Sequence, residues 1–481
     1  MTGVVVPDAA TPPAHGRPPQ PVRRVLVRLP DGWPLIAAFG LFPLWWALGL
    51  GILVLDVLAL PMAIHLWRRR PIRLPPGFGI WALFLCWLVV SAAMLDANPI
   101  GTLTGSVTSR SMAYTLRLIS YLALTIMLLY IGNLSERELP RRRVMALMAW
   151  MFAVTVVGGV LGIVFPRFSF SSPVELLLPA GVRGNVYVQS LFHPALSQVQ
   201  DVLGYAAPRP KAPYEYTNAW GNNLSLTALW FVCLAVTGGL AKRRSVRLGL
   251  LVTGLALAVV TGVWSLNRGL WLGAGLSVLY VAVRLARQRR FGLVAAVAAG
   301  LCLAVAVVPV TPLGDVISSR LDNGRSDEIR SSLAGQAIKV VNHSPVLGFG
   351  STRTAQGSPE SLAVGRSPTC PRCGNFVIGS NGQLWLLLVS TGYPGTALYF
   401  LFFLYGIWRF RRDDTPIGIA GSLSLWLALF YALFYNAVPS PLVFYLIGYA
   451  LLWRNELDQE DAVREDAVPD GAAREVAGEP A

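Results

Sequence analysis

The sequence predicts an all-α, polytopic integral membrane protein with about 12 transmembrane helices and two long extracytoplasmic loops. Three observations support this fold class. Of 481 residues, 54% are hydrophobic and only 14% are charged, and the mean hydropathy is +0.54, whereas a soluble domain carries about 25% charged residues. The apolar residues occur in runs long enough to cross a bilayer. The arginines flank these runs in short clusters, as membrane topology requires.

The N-terminal part predicts a polar segment followed by a divided apolar run. Residues 1–32 are rich in proline, so we expect a disordered cytoplasmic N-terminus without a core. The run 33–67 is too long for one helix, short for two and basic at both ends. Because basic ends belong in the cytoplasm, we predict two short helices divided near Gly49-Leu-Gly51. The run is also too long for the apolar region of a signal peptide, so no cleavable signal is expected.

The remaining apolar runs give a consistent topology. With the first run counted as two helices, the arginine-rich connections all fall in the cytoplasm and the long polar loops all fall outside. The further predicted spans are 79–95, 113–132, 144–165, 220–240, 248–266, 269–286, 291–310, 383–408, 416–435 and 438–453. Helices 1–9 are predicted within 33–310, which also contains an extracytoplasmic loop at 166–219. A large extracytoplasmic loop follows at 311–382, and helices 10–12 lie within 383–454. The tail at 455–481 is acidic and is expected to be disordered and cytoplasmic.

The net charge of +15 raises the possibility of a nucleic-acid partner. The arginines, however, follow the ends of apolar runs and form no stripe along a soluble surface. We therefore expect the lipid bilayer, and no nucleic acid, as a partner.

Arg268 lies in Trp264-Ser-Leu-Asn-Arg-Gly-Leu-Trp271, a corner with almost no loop between two apolar helices. An arginine so close to the hydrocarbon region is costly unless it faces a cavity or a partner. The alternative is an interfacial anchor beside two tryptophans. We favour a functional role, because guanidinium binds phosphate oxygens in a bidentate manner.

The first long loop ends in a polar stretch at the mouth of the next helix. The stretch contains two cations, Arg209 and Lys211, and one carboxylate, Glu215. It is either an ordinary polar loop with Thr217 or Asn218 as helix N-cap or part of a functional site. The loop is much longer than the roughly 15 residues that connections rarely exceed without purpose, which favours function.

The second long loop carries three arginines at spacings of five residues: Arg320, Arg325 and Arg330. If the segment 326–341 is helical, these arginines line one cationic face suited to an anionic ligand. The nearest carboxylates are Asp327 and Glu328. Alternatively, Asp327 pairs with Arg330 on an exposed helix, a contact worth a few tenths of a kcal/mol. Both interpretations remain open.

Three other features allow two interpretations each. Cys370-Pro-Arg-Cys373 is half a zinc site or a short disulfide, and the disulfide is favoured on the outer face, since no histidine nearby completes a zinc site. Asp56 lies within a predicted span, so it is a functional candidate or the ion-pair partner of Arg117. His343 is expected in a surface turn rather than in a site.

Three stretches together resemble one family. The first is Ser-Leu-Asn-Arg-Gly-Leu-Trp at 265–271, and the second is the arginine-bearing segment 320–350, which ends in Ser-Pro-Val-Leu-Gly-Phe-Gly. The third, 381–395, reads Asn-Gly-Gln-Leu-Trp-Leu-Leu-Leu-Val-Ser-Thr-Gly-Tyr-Pro-Gly. In order and spacing they resemble the O-antigen ligase and O-antigen polymerase family of bacterial membrane glycosyltransferases. The histidine that begins the family's third motif is absent here, where Gly379 or Ser380 occupies that position.

The resemblance implies a donor glycan on a polyprenyl diphosphate and a glycan or lipid acceptor whose hydroxyl attacks it. Preorganised arginines would stabilise the departing diphosphate. No acidic metal cluster is apparent in the sequence, which fits a metal-independent transferase, and no cofactor is expected. The candidate diphosphate-binding residues are Arg209, Lys211, Arg268, Arg320, Arg325 and Arg330. The candidate catalytic residues are Arg268, Glu215, Asp327 and Glu328. The candidates on the acceptor side are Asn381 and Gln383.

The predicted function is therefore O-antigen ligase-like glycan transfer in cell-surface polysaccharide biosynthesis, at the extracytoplasmic face of the bacterial plasma membrane. A polysaccharide polymerase of the same family is an alternative, since the two enzymes differ only in acceptor. A flippase or transporter for lipid-linked glycan is an alternative from another class. A transporter would usually show repeat symmetry and charges along a central cavity, whereas the polar residues here concentrate on one face.

Overall fold

The computed structural model describes residues 30–184, 186–201, 206–307, 312–322, 325–355 and 377–466. Three longer parts of the sequence lie outside this description: 1–29, 356–376 and 467–481. Within the described residues the chain is helical apart from two short antiparallel β-ribbons. The predicted all-α class thus holds for the bulk of the protein, and the ribbons are an addition that the apolar runs did not indicate.

The described elements are numbered here in chain order. The helices are α1 Trp33–Gly40, α2 Phe42–Leu48, α3 Val54–Arg68, α4 Phe78–Val90, α5 Val107–Asn133, α6 Arg141–Val164, α7 Pro173–Leu177, α8 Ala180–Arg183, α9 Val186–Phe192, α10 Thr217–Val236, α11 Arg244–Trp264, α12 Arg268–Arg287, α13 Phe291–Val307, α14 Pro312–Asp322, α15 Arg325–Val341, α16 Gln383–Arg409, α17 Pro416–Tyr431 and α18 Pro441–Asp466. The strands are β1 Ser197–Asp201 paired with β2 Ala206–Pro210, and β3 Arg353–Thr354 paired with β4 Val377–Ile378.

Six of the described helices are long and apolar enough to cross a membrane, namely α5, α6, α10, α11, α12 and α16. Shorter apolar helices lie at Phe78–Met94, Phe291–Cys302 and Pro416–Tyr431. Only 17% of the apolar window of α11 and 22% of that of α12 is buried inside the protein. Helices that are apolar on their exposed faces are suited to lipid. The protein is therefore an integral membrane protein, and the full count of about twelve spans stays a prediction.

The first apolar run is broken where two short helices were predicted. α2 ends at Gly49, whose positive φ of 87° suits a left-handed helix end. A 3-10 turn over Gly51–Leu53 then leads into α3. The structure adds one break that was not predicted, at Leu41 between α1 and α2.

The core is built around α18. The side chains from Leu442 to Trp453 are at most 2% exposed. It packs against α5, α10 and α17, and α10 packs in turn against α6. The helix continues to Asp466, beyond the predicted span end and into the segment predicted as a disordered tail. On this extension Glu456 pairs with Arg409 at 2.8 Å.

The predicted cytoplasmic connections meet at one end of the helices. Ion pairs join them there: Arg69–Glu138, Arg141–Asp458, Arg284–Asp414, Arg409–Glu456 and Arg454–Glu136. The loops that were predicted to be extracytoplasmic meet one another at the opposite end, through the contacts described below. The grouping of loops in the structure therefore agrees with the charge pattern of the sequence.

Candidate active site

The corner between α11 and α12 is a tight turn with a strained backbone. Leu266 has a φ of +54°, a left-handed conformation that costs a bulky residue free energy and is found mostly at functional positions. Asn267 caps α12, because its Oδ1 accepts a hydrogen bond from the Leu270 amide at 3.2 Å. Arg268 follows as the first residue of the helix and is half-buried. The corner thus combines a guanidinium with the positive end of a helix dipole, an arrangement that favours anions.

The ribbon β1–β2 brings Arg209 to this corner. Arg209 lies opposite Gln198 in the ribbon and its side chain is buried. Its Nε donates to the Ser265 carbonyl oxygen at 2.6 Å, and its Nη1 donates to the Gln200 side chain. The first long loop and the α11–α12 corner, predicted separately as functional, are therefore parts of one site.

Tyr435, in the connection between α17 and α18, joins a third arginine to the site. Its hydroxyl donates to Asn267 Oδ1, and the Arg330 guanidinium lies 5.9 Å from the centre of its ring. Arg209 also acts on Tyr435 electrostatically. A cation over an aromatic face is attracted to it and held in place. Arg209 and Arg330 thus both act on Tyr435, and Arg268 directly follows Asn267, which binds Tyr435. We call Arg209, Arg268 and Arg330, together with Asn267 and Tyr435, the arginine cluster.

Tyr435 was not predicted as a site residue, because a tyrosine at the end of an apolar helix is ordinary. Gly269, in the first turn of α12, lets this helix pack closely against the Tyr435 ring. A Cβ at this glycine would lie 2.1 Å from the Tyr435 hydroxyl oxygen.

Glu215 lies at the far end of the segment that carries Arg209. Its side chain is buried, and Ser440 Oγ donates to Glu215 Oε1 at 2.9 Å. Burial raises the pKa of Glu215 above its ordinary value, although Ser440 and Lys211 oppose the shift. Burial also lowers the pKa of Lys211, while Glu215 acts to raise it. A carboxyl group in such surroundings is a candidate for proton transfer.

Two glycine turns pack against each other, one after α15 and one within α16. α16 is interrupted at Gly392, where φ is 66°, and Gly348 has a φ of 65°. A Cβ on Gly348 would lie 2.5 Å from the Gly392 nitrogen, so only glycine permits this approach. The Phe349 amide donates to the Val389 carbonyl at 2.8 Å and the Gly350 amide to the Ser390 carbonyl at 2.8 Å. The second and third of the stretches that carry the family resemblance therefore pack directly on each other.

Residues 253–400 match the O-antigen ligase family. This O-antigen ligase segment contains all three stretches singled out in the sequence, together with Arg268 and Arg330. The match confirms the resemblance over these residues. No curated protein matches the chain.

Part of the predicted site lies before the O-antigen ligase segment. Arg209, Lys211 and Glu215 precede it, and they join it through the bond from Arg209 to Ser265 and through Tyr435 and Ser440, which follow it. The site is therefore assembled from both sides of the matched residues.

Some predicted residues of the second long loop are described only in part. The segment 326–341, whose helical state was the condition for one cationic face, is helical as part of α15. The side chains of four predicted site residues lie outside the described part of the protein: Arg320, Arg325, Asp327 and Glu328. Cys370 and Cys373 lie wholly outside the described residues, so the disulfide stays a prediction.

The two predicted acceptor-side residues differ in their surroundings. Asn381 Nδ2 donates to the Arg330 carbonyl at 3.3 Å, while its Oδ1 is buried and accepts no hydrogen bond from the described residues. Gln383 is fully buried. Its Nε2 donates to the Tyr121 hydroxyl at 2.8 Å, and its Oε1 accepts from the Ala437 amide at 2.9 Å. Gln383 therefore ties α16 to α5, and Asn381 is the better placed of the two for a ligand.

Asp56, the ambiguous carboxylate of the first run, accepts a hydrogen bond from Ser120 Oγ at 3.2 Å. The contact joins α3 to α5, far along the chain from the arginine cluster. His343 is exposed, as predicted, and its Nδ1 lies 3.0 Å from the Lys339 carbonyl oxygen.

Arg353 is a buried arginine that the sequence did not single out. It is 1% exposed and donates to backbone carbonyl oxygens only. The acceptors are Met94, Leu95, Ala97, Phe349, Ser351 and Thr352, at 2.9–3.2 Å. Burial lowers the pKa of Arg353 to about 10, with a smaller contribution from Arg110, so the side chain remains charged at neutral pH. Its donors are occupied within the protein, and its role is to hold the glycine turn against the end of α4.

A small cleft lies behind the segment that carries Glu215. One wall is formed by Trp46, Leu50 and Leu53, and the other by His193, Tyr214 and Glu215. The enclosed space is about 20 Å³, enough for one water-sized group. His193 Nδ1 lies 2.8 Å from Glu175 Oε2. The sequence signal for this pair was the capping pattern Ser172-Pro-Val-Glu175, and it was not recognised.

Proposed function

We propose that this protein is an O-antigen ligase-like glycosyltransferase. In this proposal it moves a glycan from a polyprenyl-diphosphate carrier to an acceptor hydroxyl, at the extracytoplasmic face of the bacterial plasma membrane. The observation that carries the proposal is the arginine cluster, which lies at the corner of the O-antigen ligase segment. It places three guanidinium groups where an otherwise apolar membrane helix begins.

The arginine cluster suits the chemistry of the leaving group. When the bond between the sugar carbon and the diphosphate oxygen breaks, negative charge builds on the diphosphate. Guanidinium groups bind phosphate oxygens in pairs and stabilise this charge best when they are held in place beforehand. The bonds of Arg209 to Ser265 and of Asn267 to Tyr435 provide that preorganisation. Arg320, Arg325 and Lys211 remain proposed contributors to the same diphosphate site.

The acceptor hydroxyl must lose its proton as it attacks. Glu215, Asp327 and Glu328 are the carboxylates proposed for this region, and Glu215 is the one whose surroundings are described. It lies six residues from Arg209 along one segment, a separation of at most about 20 Å in an extended chain. In this proposal the segment 209–215 contributes Arg209 to the diphosphate and Glu215 to the acceptor.

The proposal assigns the departing charge to arginines, so the reaction needs no metal ion. We propose no cofactor for it. The partners are the lipid-linked glycan, the acceptor and the surrounding bilayer.

The test is an analysis of cell-surface and lipid-linked glycans in a deletion strain carrying Arg268→Ala at normal protein level. Arg287→Ala is the matched control, because Arg287 is an exposed arginine at the opposite end of the same helix, about 30 Å away. We expect the deletion and Arg268→Ala to lose the same surface glycan and to accumulate lipid-linked precursor outside the membrane, while the control retains the glycan.

The accumulated precursor also separates the alternatives. Full-length chains on the carrier indicate a lost ligase, and single repeat units indicate a lost polymerase of the same family. Precursor on the cytoplasmic leaflet would indicate a transporter and overturn the proposal. If the surface glycan is unchanged in Arg268→Ala, Arg268 is an interfacial anchor and its proposed role in binding the diphosphate is wrong.

A further inference from the structure

The pair formed by His193 and Glu175 is built to hold one ring orientation. Glu175 is buried at the start of α7, and its Oε2 accepts from the Ser172 amide at 3.3 Å and contacts His193 Nδ1 at 2.8 Å. Ser172 Oγ in turn accepts from the Glu175 amide at 3.1 Å. The carboxylate is therefore fixed by the capping box before it reaches the histidine.

This contact determines the chemistry left to the histidine. A carboxylate only accepts hydrogen bonds, so His193 Nδ1 carries the proton. In the neutral ring Nε2 is then unprotonated and is the nitrogen available to accept a proton. A carboxylate that orients an imidazole and stabilises its protonated form is the arrangement found behind general bases that act on hydroxyl groups.

The surroundings of His193 leave room for a small polar group. His193 lines the cleft described above, whose enclosed space fits one water-sized group such as a hydroxyl. The titratable groups that face it are Glu175, which binds it, and Tyr214 and Glu215 in the cleft wall. The same two strands of chain that line the cleft at Pro194 and Pro213 continue into the ribbon that carries Arg209. They are held together between cleft and ribbon, where the Lys211 amide donates to the Leu196 carbonyl at 3.0 Å.

The opposite wall of the cleft is apolar. Trp46, Leu50 and Leu53 come from the broken first run, which lies among the membrane helices. A group held here would have a polar side at His193 and an apolar side toward the first run, as an amphipathic acceptor requires.

We propose that His193, held by Glu175, is the proton acceptor for the attacking hydroxyl and that the cleft binds this hydroxyl. The inference deepens the proposed glycosyl transfer and rests on it. In the step, the acceptor oxygen forms a bond to the sugar carbon and its proton passes to His193 Nε2. The bond from that carbon to the diphosphate oxygen breaks, and its electron pair leaves with the lipid diphosphate. Glu175 is a positioning residue.

The first test observes the ring directly and needs no substrate. The chain has four histidines, so nitrogen NMR of histidine-labelled protein in lipid nanodiscs resolves few signals, and His193→Gln identifies the one that belongs to His193. We expect that signal to report a proton on Nδ1 at alkaline pH, and Glu175→Gln to change it. A signal that reports the proton on Nε2 in the wild-type protein would overturn the proposal.

The second test measures kcat and KM of transfer in membrane vesicles of the deletion strain, which supply the accumulated precursor and the acceptor. We expect His193→Gln to lower kcat at least 100-fold, as loss of a general base does. Glu175→Gln should lower kcat less and leave KM for the acceptor unchanged, because the ring loses the partner that fixes its orientation. His343→Gln, at an exposed histidine with no carboxylate partner among the described residues, is the matched control and should leave both unchanged.

The outcomes separate this inference from the proposed function. If Arg268→Ala abolishes transfer while His193→Gln retains it, the glycosyltransferase proposal stands and the histidine inference fails. If Glu175→Gln lowers protein yield without changing kcat or the His193 signal, the pair is only a structural tie between α7 and the turn that follows α9, and the inference fails. If neither Arg268→Ala nor His193→Gln affects the precursor, both proposals fail.

Discussion

Arg353 offers a sharp test of how the glycine turn is held. Its side chain is buried and donates to six backbone carbonyl oxygens. Three of these belong to Met94, Leu95 and Ala97, which follow α4, and a fourth belongs to Phe349. Lysine keeps the positive charge, but it has three donors where arginine has five. Arg353→Lys therefore loses at least two hydrogen bonds to a charged group and leaves buried carbonyls unsatisfied.

The size of the effect follows from these bonds. A hydrogen bond to a charged group contributes about 1.5–3 kcal/mol, so two of them give about 3 kcal/mol at the low end. Because every 1.4 kcal/mol is a factor of about ten, local opening of the turn should become about 100-fold more frequent in Arg353→Lys.

Hydrogen exchange measured by mass spectrometry detects this opening. The reporter is the peptide covering 345–355, whose Phe349 and Gly350 amides are protected by bonds to α16. We expect exchange of this peptide to accelerate about 100-fold, while peptides of α18 are unchanged. Arg137→Lys, at an exposed arginine near the opposite end, is the control. Equal exchange in Arg353→Lys and the wild type would refute the view that this arginine fastens the turn.

Three further predictions concern stability in nanodiscs, followed by tryptophan fluorescence on heating. Gly348→Ala should destabilise the protein by about 3 kcal/mol or more and abolish transfer, because the added Cβ would meet backbone atoms of Gly392. Gly335→Ala, on the open face of α15, is the control and should be tolerated. Burial raises the pKa of Glu138, but bonds from Arg69 and Ser135 outweigh it and lower the pKa to about 2. Glu138→Gln should therefore cost about 1–2 kcal/mol at pH 7, after a discount for partial exposure, and the cost should vanish as the pH falls from about 4.5 to 2. Glu215 has a raised pKa, so its native form keeps a proton that the unfolded chain has released, and wild-type stability falls as the pH rises past 4.5. Glu215→Gln should accordingly become more stable relative to the wild type with rising pH, and a constant difference between the two would contradict the raised pKa.

Much of the fold followed from hydropathy and charge, because both act locally along the chain. The division of the first run, α15 and the α11–α12 corner were predicted from turn residues, periodicity and flanking arginines. The packing of α18 at the centre was not, since an apolar helix looks the same whether lipid or protein surrounds it. The ribbon β1–β2 was missed because Gln, Pro and Ala dominate it and leave no alternating pattern.

The sequence singled out the cations of the candidate site but not their neutral partners or the local pair of Glu175 and His193. Arg209, Arg268 and Arg330 were visible because a charge near a membrane segment needs an explanation. Tyr435 and Ser440 became visible only through long-range contacts, with Asn267 and Glu215 respectively. His193 was missed for another reason. Its partner lies eighteen residues away in a loop whose path depends on a capping box and on a close approach to Gly49.

The most direct test of the central claim is the affinity of the purified protein for a polyprenyl diphosphate. Undecaprenyl diphosphate is added to the protein in nanodiscs, and bound lipid is counted by native mass spectrometry for the wild type and for Arg209→Ala, Arg268→Ala and Arg330→Ala. Undecaprenyl monophosphate and Arg287→Ala serve as controls for charge and for protein. Each charged hydrogen bond that is lost should weaken binding about 10-fold to 100-fold.

We expect the wild type to prefer the diphosphate over the monophosphate and each of the three variants to lose that preference, while Arg287→Ala keeps it. Equal affinity for the diphosphate in the wild type and all three variants would contradict the arginine cluster as the site of the departing group.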